Sequence, residues 1–235
     1  MPDGVWIDFF TVHRYEGGQK IRVFRPLSGM PVFVRPGTII PMDGAETLRN
    51  GCPLPEKLSF RIFAGAAGSH TLIEDNGRSP ISQDYRRCDT CCELLWGENT
   101  QILIHAAEGA ADILPAGRQI TLELVDMPNV MPDEVSCGFS TDYDAGRRTL
   151  IIHLDAKPGE AVSLKWEKKP VCPQLDKYTL LYDLLLPVQM DNQVKEHILN
   201  LSSRLERAEQ RIAAIQCCEL PEGLLGALTE IELIR

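Results

Sequence analysis

The chain has 235 residues, 44% hydrophobic and 24% charged, enough apolar material for more than one core. Its net charge of −9, without any run of lysine or arginine, argues against a nucleic-acid partner, because binding a phosphate backbone needs clustered positive charge. No stretch approaches the roughly 18 to 20 apolar residues of a bilayer span, and Met1-Pro2-Asp3-Gly4 lacks the basic then apolar profile of a signal peptide, so a cytoplasmic protein without membrane contact is expected.

From Val5 to about Gly159 the pattern is short apolar runs punctuated by glycine, proline, asparagine and aspartate, which predicts β-sandwich or barrel strands. Ile21 and Val23 alternate with charged neighbours. Leu58, Phe60 and Ile62 alternate with Ser59 and Arg61, as Ile120, Leu122 and Leu124 do with Thr121 and Glu123, so each run turns one face into a core. Runs at 101–106, 149–154 and 162–166 continue the series. Glu16-Gly17-Gly18-Gln19 and Asp75-Asn76-Gly77 supply the positive φ of tight turns and are read as hairpins. A polar, proline-containing break follows Met42, and strands resume at Lys57.

A second break falls at Lys168-Lys169-Pro170 and Pro173, after which the apolar period lengthens from two to about three and a half. Residues 175–186 form one helix-like stretch, ended by Pro187. Val194, Ile198, Leu201, Leu205, Ala208, Ile212 and Ile215 then mark one apolar stripe on a helix expected to run from Asp191 to Gln216. Pro221 and Gly223 open a last short helix, so 174–235 is expected to be a helical hairpin or three-helix cap.

The opening forty residues are more particular than a generic strand pair. Pro2, Gly4, Trp6, Asp8, Phe9, Thr11, Tyr15, Gly17 and Gly18, then Pro26, Leu27, Pro31 to Arg35, Gly37 and Ile39 to Pro41, follow one fixed order and spacing. This segment resembles the region just after the catalytic barrel in glycoside hydrolase family 31, the α-glucosidase and α-xylosidase family. Val12 departs from the pattern, which has glycine there. Leu58 to Phe63, Gly65, Gly68 and Leu72 to Gly77 are similar to the family's distal C-terminal domain. The resemblance implies a pair of carboxylates on an upstream (β/α)₈ barrel, outside the matched segment. It therefore carries over no catalytic residue, and the expectation is catalytic residues none, cofactor none and metal none.

The residues that invite a site have structural readings too. Trp6, Phe9 and Phe10 would suit a sugar-stacking platform, but strand spacing favours core packing. Asp8, beside a turn, is expected to bind backbone amides. Glu74 and Asp75 are neighbours on a strand and point to opposite faces, so they cannot flank one glycosidic bond. Asp75, Asn76 and Asp84 offer oxygen ligands without the spacing of an EF-hand loop. Cys88, Cys91 and Cys92 with Cys217 and Cys218 lack the paired spacing of a zinc site, and Cys52, Cys137 and Cys172 stand alone, so reduced thiols are expected. His13, His70, His105, His153 and His197 are scattered, and Arg35 is read as a buried ion-pair partner.

These readings give a mainly β fold, β-sandwich domains with an α-helical C-terminal cap. The expected divisions are the end of a proximal sandwich at 1–42, a distal sandwich at 56–167 and the cap at 174–235. The resemblance implies a non-catalytic accessory part of a family 31 α-glucosidase-like hydrolase in carbohydrate metabolism; the alternative is a stand-alone carbohydrate-binding module. A first sheet lacking the family's preceding strands leaves an edge and an apolar face open. Met1 to Pro41 is therefore expected to need strands from a separately encoded catalytic barrel chain, the other explanation being a truncated gene. The helical tail is a second candidate for self-association, and weak carbohydrate binding is the remaining partner expectation.

Overall fold

Period-two alternation in the middle of the chain builds two facing sheets. The computed structural model describes residues 1–25, 27, 29–45, 53–172 and 174–234, so Pro26, Cys52, Pro173 and most of the break after Met42 lie outside the described residues. The chain forms two units, one from Met1–Phe33 with Gln174–Arg235 and the other from Val34–Pro173.

In the second unit one sheet contains β4 (Ile39–Asp43), β5 (Lys57–Phe63), β10 (Gln119–Val125), β12 (Gly138–Asp144) and β13 (Thr149–Asp155), in the order β12-β13-β10-β5-β4. The other contains β6 (Gly68–Asp75), β7 (Arg87–Leu95), β8 (Thr100–Ile104), β11 (Glu134–Val135) and β14 (Val162–Trp166), in the order β11-β14-β8-β7-β6, with β9 (Glu108–Gly109) also on β7. Phe60, Ile62, Leu122, Leu124, Leu150 and Ile152 from the first sheet meet Cys92, Leu94, Ile102, Ile104, Leu164 and Trp166 from the second in one buried core. The unit begins at Val34, ahead of the break read after Met42, because β4 pairs in register with β5, Ile39 opposite Ile62.

The first unit joins the head of the chain to its tail. β1 (Val5–Asp8) pairs with β2 (Arg14–Glu16), and β3 (Phe33–Val34) lies on the other side of β1. Four helices follow: α1 (Lys177–Leu185), α2 (Asn192–Arg204), α3 (Ala208–Gln216) and α4 (Glu222–Leu233). Asp176 and Asp191 cap α1 and α2 by accepting from Tyr178 N and Gln193 N. Leu181, Leu185, Ile198, Ile215, Leu228 and Ile231 of these helices share a core with Tyr15, and Ile21, Val23 and Phe33 pack against it. The apolar face of the head, expected to lie open, is covered by the tail of the same chain.

Two expected elements differ. Gly17 and Gly18 do not open a hairpin toward Ile21 and Val23: Gly17 N donates to Gly4 O at 2.7 Å and Gly18 N to Met1 O at 3.0 Å, extending the β1–β2 pairing. A Cβ at Gly17 would fall 1.9 Å from Pro2 O, so only glycine admits this approach. The helix expected over 191–216 is broken, because Leu205 and Arg207 are extended. Arg211 makes the corner: its Nη1 donates to Leu205 O (2.8 Å) and Glu206 O (2.9 Å), and its Nε to the buried Glu232 at 2.6 Å. The guanidinium thus satisfies carbonyls that the break releases.

Candidate functional site

Asp8, Tyr15, Arg25 and Glu230, all within the first unit, form one connected group of chemically capable side chains. Asp8 ends β1, where the chain turns, and its Oδ1 accepts from Phe10 N (2.9 Å) and Thr11 N (3.0 Å), the amide-binding role expected of it. Its Oδ2 accepts from Arg25 Nη2 at 2.7 Å. Arg25 Nη1 donates to Glu230 Oε1 at 2.7 Å, and the same oxygen accepts from Tyr15 Oη at 2.5 Å. Glu230 Oε2 accepts from Phe24 N at 2.6 Å. Helix α4 brings Glu230 there because Gly226, four residues earlier, leaves room for the Phe24 ring: a Cβ at Gly226 would lie 1.9 Å from Phe24 Cζ.

The electrostatics are those of a closed network. Burial pushes the Asp8 carboxyl up, but the bonds from Arg25, Thr11 and Phe10 together outweigh it and hold the group below the usual carboxylate range. Burial, then the bond to Glu230, drives the Tyr15 phenol well above its ordinary value. A retaining glycosidase needs two carboxylates about 5 Å apart with a sugar between them. Here the space between Asp8 and Glu230 is filled by a guanidinium bonded to both, and each of the four carboxylate oxygens has a donor.

Glu74 and Asp75 separate as their strand spacing requires. Glu74 is buried in a two-pronged pair with Arg118, both contacts at 2.7 Å, whereas Asp75 Oδ1 accepts from Gly77 N at 2.8 Å within the turn. Asn76 Nδ2 donates to Asp84 O at 2.7 Å, so this loop is tied by its own hydrogen bonds. Cys88 and Cys92 point into the sandwich and Cys91 out of it, and burial pushes the Cys92 thiol up to about 12. Among the described residues no group of three or more histidine, cysteine or acidic side chains is placed to hold a metal ion, and no helix is long and apolar enough to cross a membrane.

Two residue readings are corrected. Phe10 is 49% exposed, and Trp6 and Phe9 are half-buried; Ile7 and Asp8 occupy the buried positions because β1 ends in the turn that Asp8 ties. Arg35 is exposed rather than buried; Arg25 is the mostly buried arginine that joins two carboxylates. Arg25 and Glu230 were missed by motif reading, since Glu230 lies 205 residues beyond Arg25 and no spacing rule connects them. The open surface offers one more feature, a hollow of about 480 Å³ over β12, β13 and β10, lined by Gln119, Thr121, Ser140, His153 and Asp155. His153 bridges Thr121 Oγ1 (3.1 Å) and Asp142 Oδ2 (3.4 Å) there.

Comparison with known proteins finds relatives for part of this chain. Residues 1–40 match the glycosyl hydrolase family 31 C-terminal domain. An alpha-xylosidase of Saccharolobus solfataricus is 29% identical over 99 residues, covering 42% of this chain and 13% of that protein. Alpha-glucosidase 2 of Bacillus thermoamyloliquefaciens is 27% identical over 113 residues, covering 46% of this chain and 14% of its own length. A family 31 dextranase structure from Flavobacterium johnsoniae shares the fold with a TM-score of 0.57 at 23% identity, over 70% of this chain and 23% of that one. The chain thus spans a small fraction of each relative's length. Residues 1–40 are thus similar to the family 31 C-terminal domain and 70% of the chain shares a fold with part of a family 31 dextranase, while its described residues form no alternating strand-and-helix barrel.

Proposed function

We propose that this chain is a non-catalytic accessory part of an α-glucosidase-like glycoside hydrolase, supporting a catalytic barrel supplied from outside the described residues. The observation that carries the reading is the use made of the acids in the matched regions. Asp8 and Glu74 are saturated by arginine and, for Asp8, backbone donors, which suits scaffold and leaves neither to attack or protonate a glycoside. The substrate class, α-linked glucosides or xylosides, follows from the names of the relatives. Cys88, Cys91, Cys92, Cys137, Cys217 and Cys218 are free thiols, which fits a reducing cytoplasmic compartment.

The test is hydrolysis of an aryl α-glucoside by the chain alone and after mixing with a separately produced family 31 barrel. The lone chain is expected to give no turnover above buffer; turnover by the lone chain overturns the assignment. The hollow on the five-stranded sheet favours a second reading, glycan binding, because Gln119, Thr121, Ser140, His153 and Asp155 line it with hydrogen-bonding groups of the kind that meet sugar hydroxyls, beside the apolar Ile120, Phe139 and Leu154. Millimolar or tighter binding of maltooligosaccharides, followed by titration calorimetry and lost in Asp155→Ala, would support that reading.

A further inference from the structure

Among the described residues, the five-stranded sheet of the sandwich ends on β12, which pairs with β13 on one side only. Edge strands invite pairing with another chain, and natural sheets blunt them with charged side chains, lysine above all, with proline, with bulges or by short length. The other edge of this sheet, β4, carries Pro41 at its centre, and β11 of the second sheet is two residues long. β12 has no lysine, proline or bulge and its charges are limited to Asp142 and Asp144: its sequence is GFSTDYD, and all seven residues pair one to one with β13. Phe139 of the strand is 43% exposed, and Met131 in the preceding loop is 48% exposed. Thr141 Oγ1 donates to Met131 Sδ at 3.2 Å, which sets Met131 beside the middle of the strand.

We propose that β12 is a homodimer edge, on which two copies of this chain pair β12 with β12 antiparallel about a two-fold axis at Thr141. The choice of a second copy rests on how the sequence complements itself. A two-fold that keeps like faces on the same side of a continuous sheet must pass through a residue position, because opposed residues share a face. With the axis at Thr141 all seven residues are paired: Gly138 faces Asp144, Phe139 faces Tyr143 and Ser140 faces Asp142. No like charges oppose each other, and two aromatic cross-strand pairs form. Moving the axis to Asp142 sets two carboxylates face to face. Moving it to Ser140 leaves Tyr143 and Asp144 outside the strand pairing and loses the aromatic pairs. The eight-residue edge strand β6 has no such preference, since axes at Thr71 and Leu72 both avoid like charges and neither makes an aromatic pair.

The test is the mass of the full chain by sedimentation equilibrium over a wide concentration range. The wild type is expected to dimerise, and Thr141→Lys or Thr141→Asp, which places like charges across the axis, to weaken association at least tenfold. An equimolar mixture of the two variants should recover the dimer. Ser140→Lys supplies a test that misfolding cannot imitate: in the stated register its ammonium faces Asp142 of the second copy and association tightens severalfold, whereas a lysine weakens unspecific edge pairing. A wild type that stays monomeric at millimolar concentration, Thr141 variants that dimerise like the wild type, a mixture that fails to recover the dimer, Ser140→Lys that loosens it, or loss only in Thr71→Lys would each overturn the proposal.

Discussion

Val12 stands where the family pattern has glycine, and it keeps the glycine conformation, with φ of 61° while 1% exposed. A β-branched residue in that region is strained by about 1–2 kcal/mol, and burying its side chain returns about 1.5–3 kcal/mol. The two nearly offset, which explains how valine is tolerated in the turn that Asp8 ties. Val12→Gly is therefore expected to change stability by no more than about 1 kcal/mol, because strain and burial vanish together. Val12→Ala keeps most of the strain and loses the burial, so it should cost about 2 kcal/mol. Urea unfolding of both variants gives the order; an alanine variant more stable than the glycine variant would contradict it. At this scale the sequence was legible where one residue decides the outcome, as with Asp8 and its amides. It was not legible where a distant partner decides, as with Arg25, whose second carboxylate comes from α4.

Among elements, the corner between α2 and α3 depends on one side chain. Arg211 joins the carbonyls of the break to Glu232, whose side chain is fully buried. Arg211→Met should cost about 3–5 kcal/mol by leaving a buried carboxylate without its partner. The double variant Arg211→Met with Glu232→Leu should recover most of that loss, since replacing both members of a buried pair by apolar groups is often near neutral. Chemical denaturation of the two single variants and the double variant measures the recovery, and a double variant no better than Arg211→Met refutes it. The apolar stripe from Val194 to Ile215 was visible in the sequence, and so were the aspartate caps of α1 and α2. The break was not visible, because the stripe continues unbroken through Leu205 and its cause lies in a charge pair spanning 21 residues.

For the whole molecule, the polar network of the first unit sets how stability follows pH. The folded chain holds the Asp8 carboxyl below its ordinary range, so the unfolded chain takes up the proton first as acid is added. The stabilisation is present above about pH 4 and is lost as pH falls through the lower folded value. At the alkaline end the raised Tyr15 phenol acts in the opposite sense: its contribution is complete below about pH 10 and falls above it, as the unfolded chain ionises first. Urea midpoints measured across pH should therefore decline at both ends, with Asp8→Asn flattening the acid limb and Tyr15→Phe the alkaline one. Unchanged limbs in these variants would place the titrating groups elsewhere. The sandwich was legible throughout because period-two alternation is local, whereas the union of head and tail rests on contacts such as Tyr15 with Glu230, 215 residues apart. That separation bears on biosynthesis. At about 5–20 residues per second, a ribosome needs on the order of ten to forty seconds after making Tyr15 before Glu230 exists. The intervening sandwich can mature during that interval while the first strands wait, their apolar side chains open to chaperones until the last helix emerges.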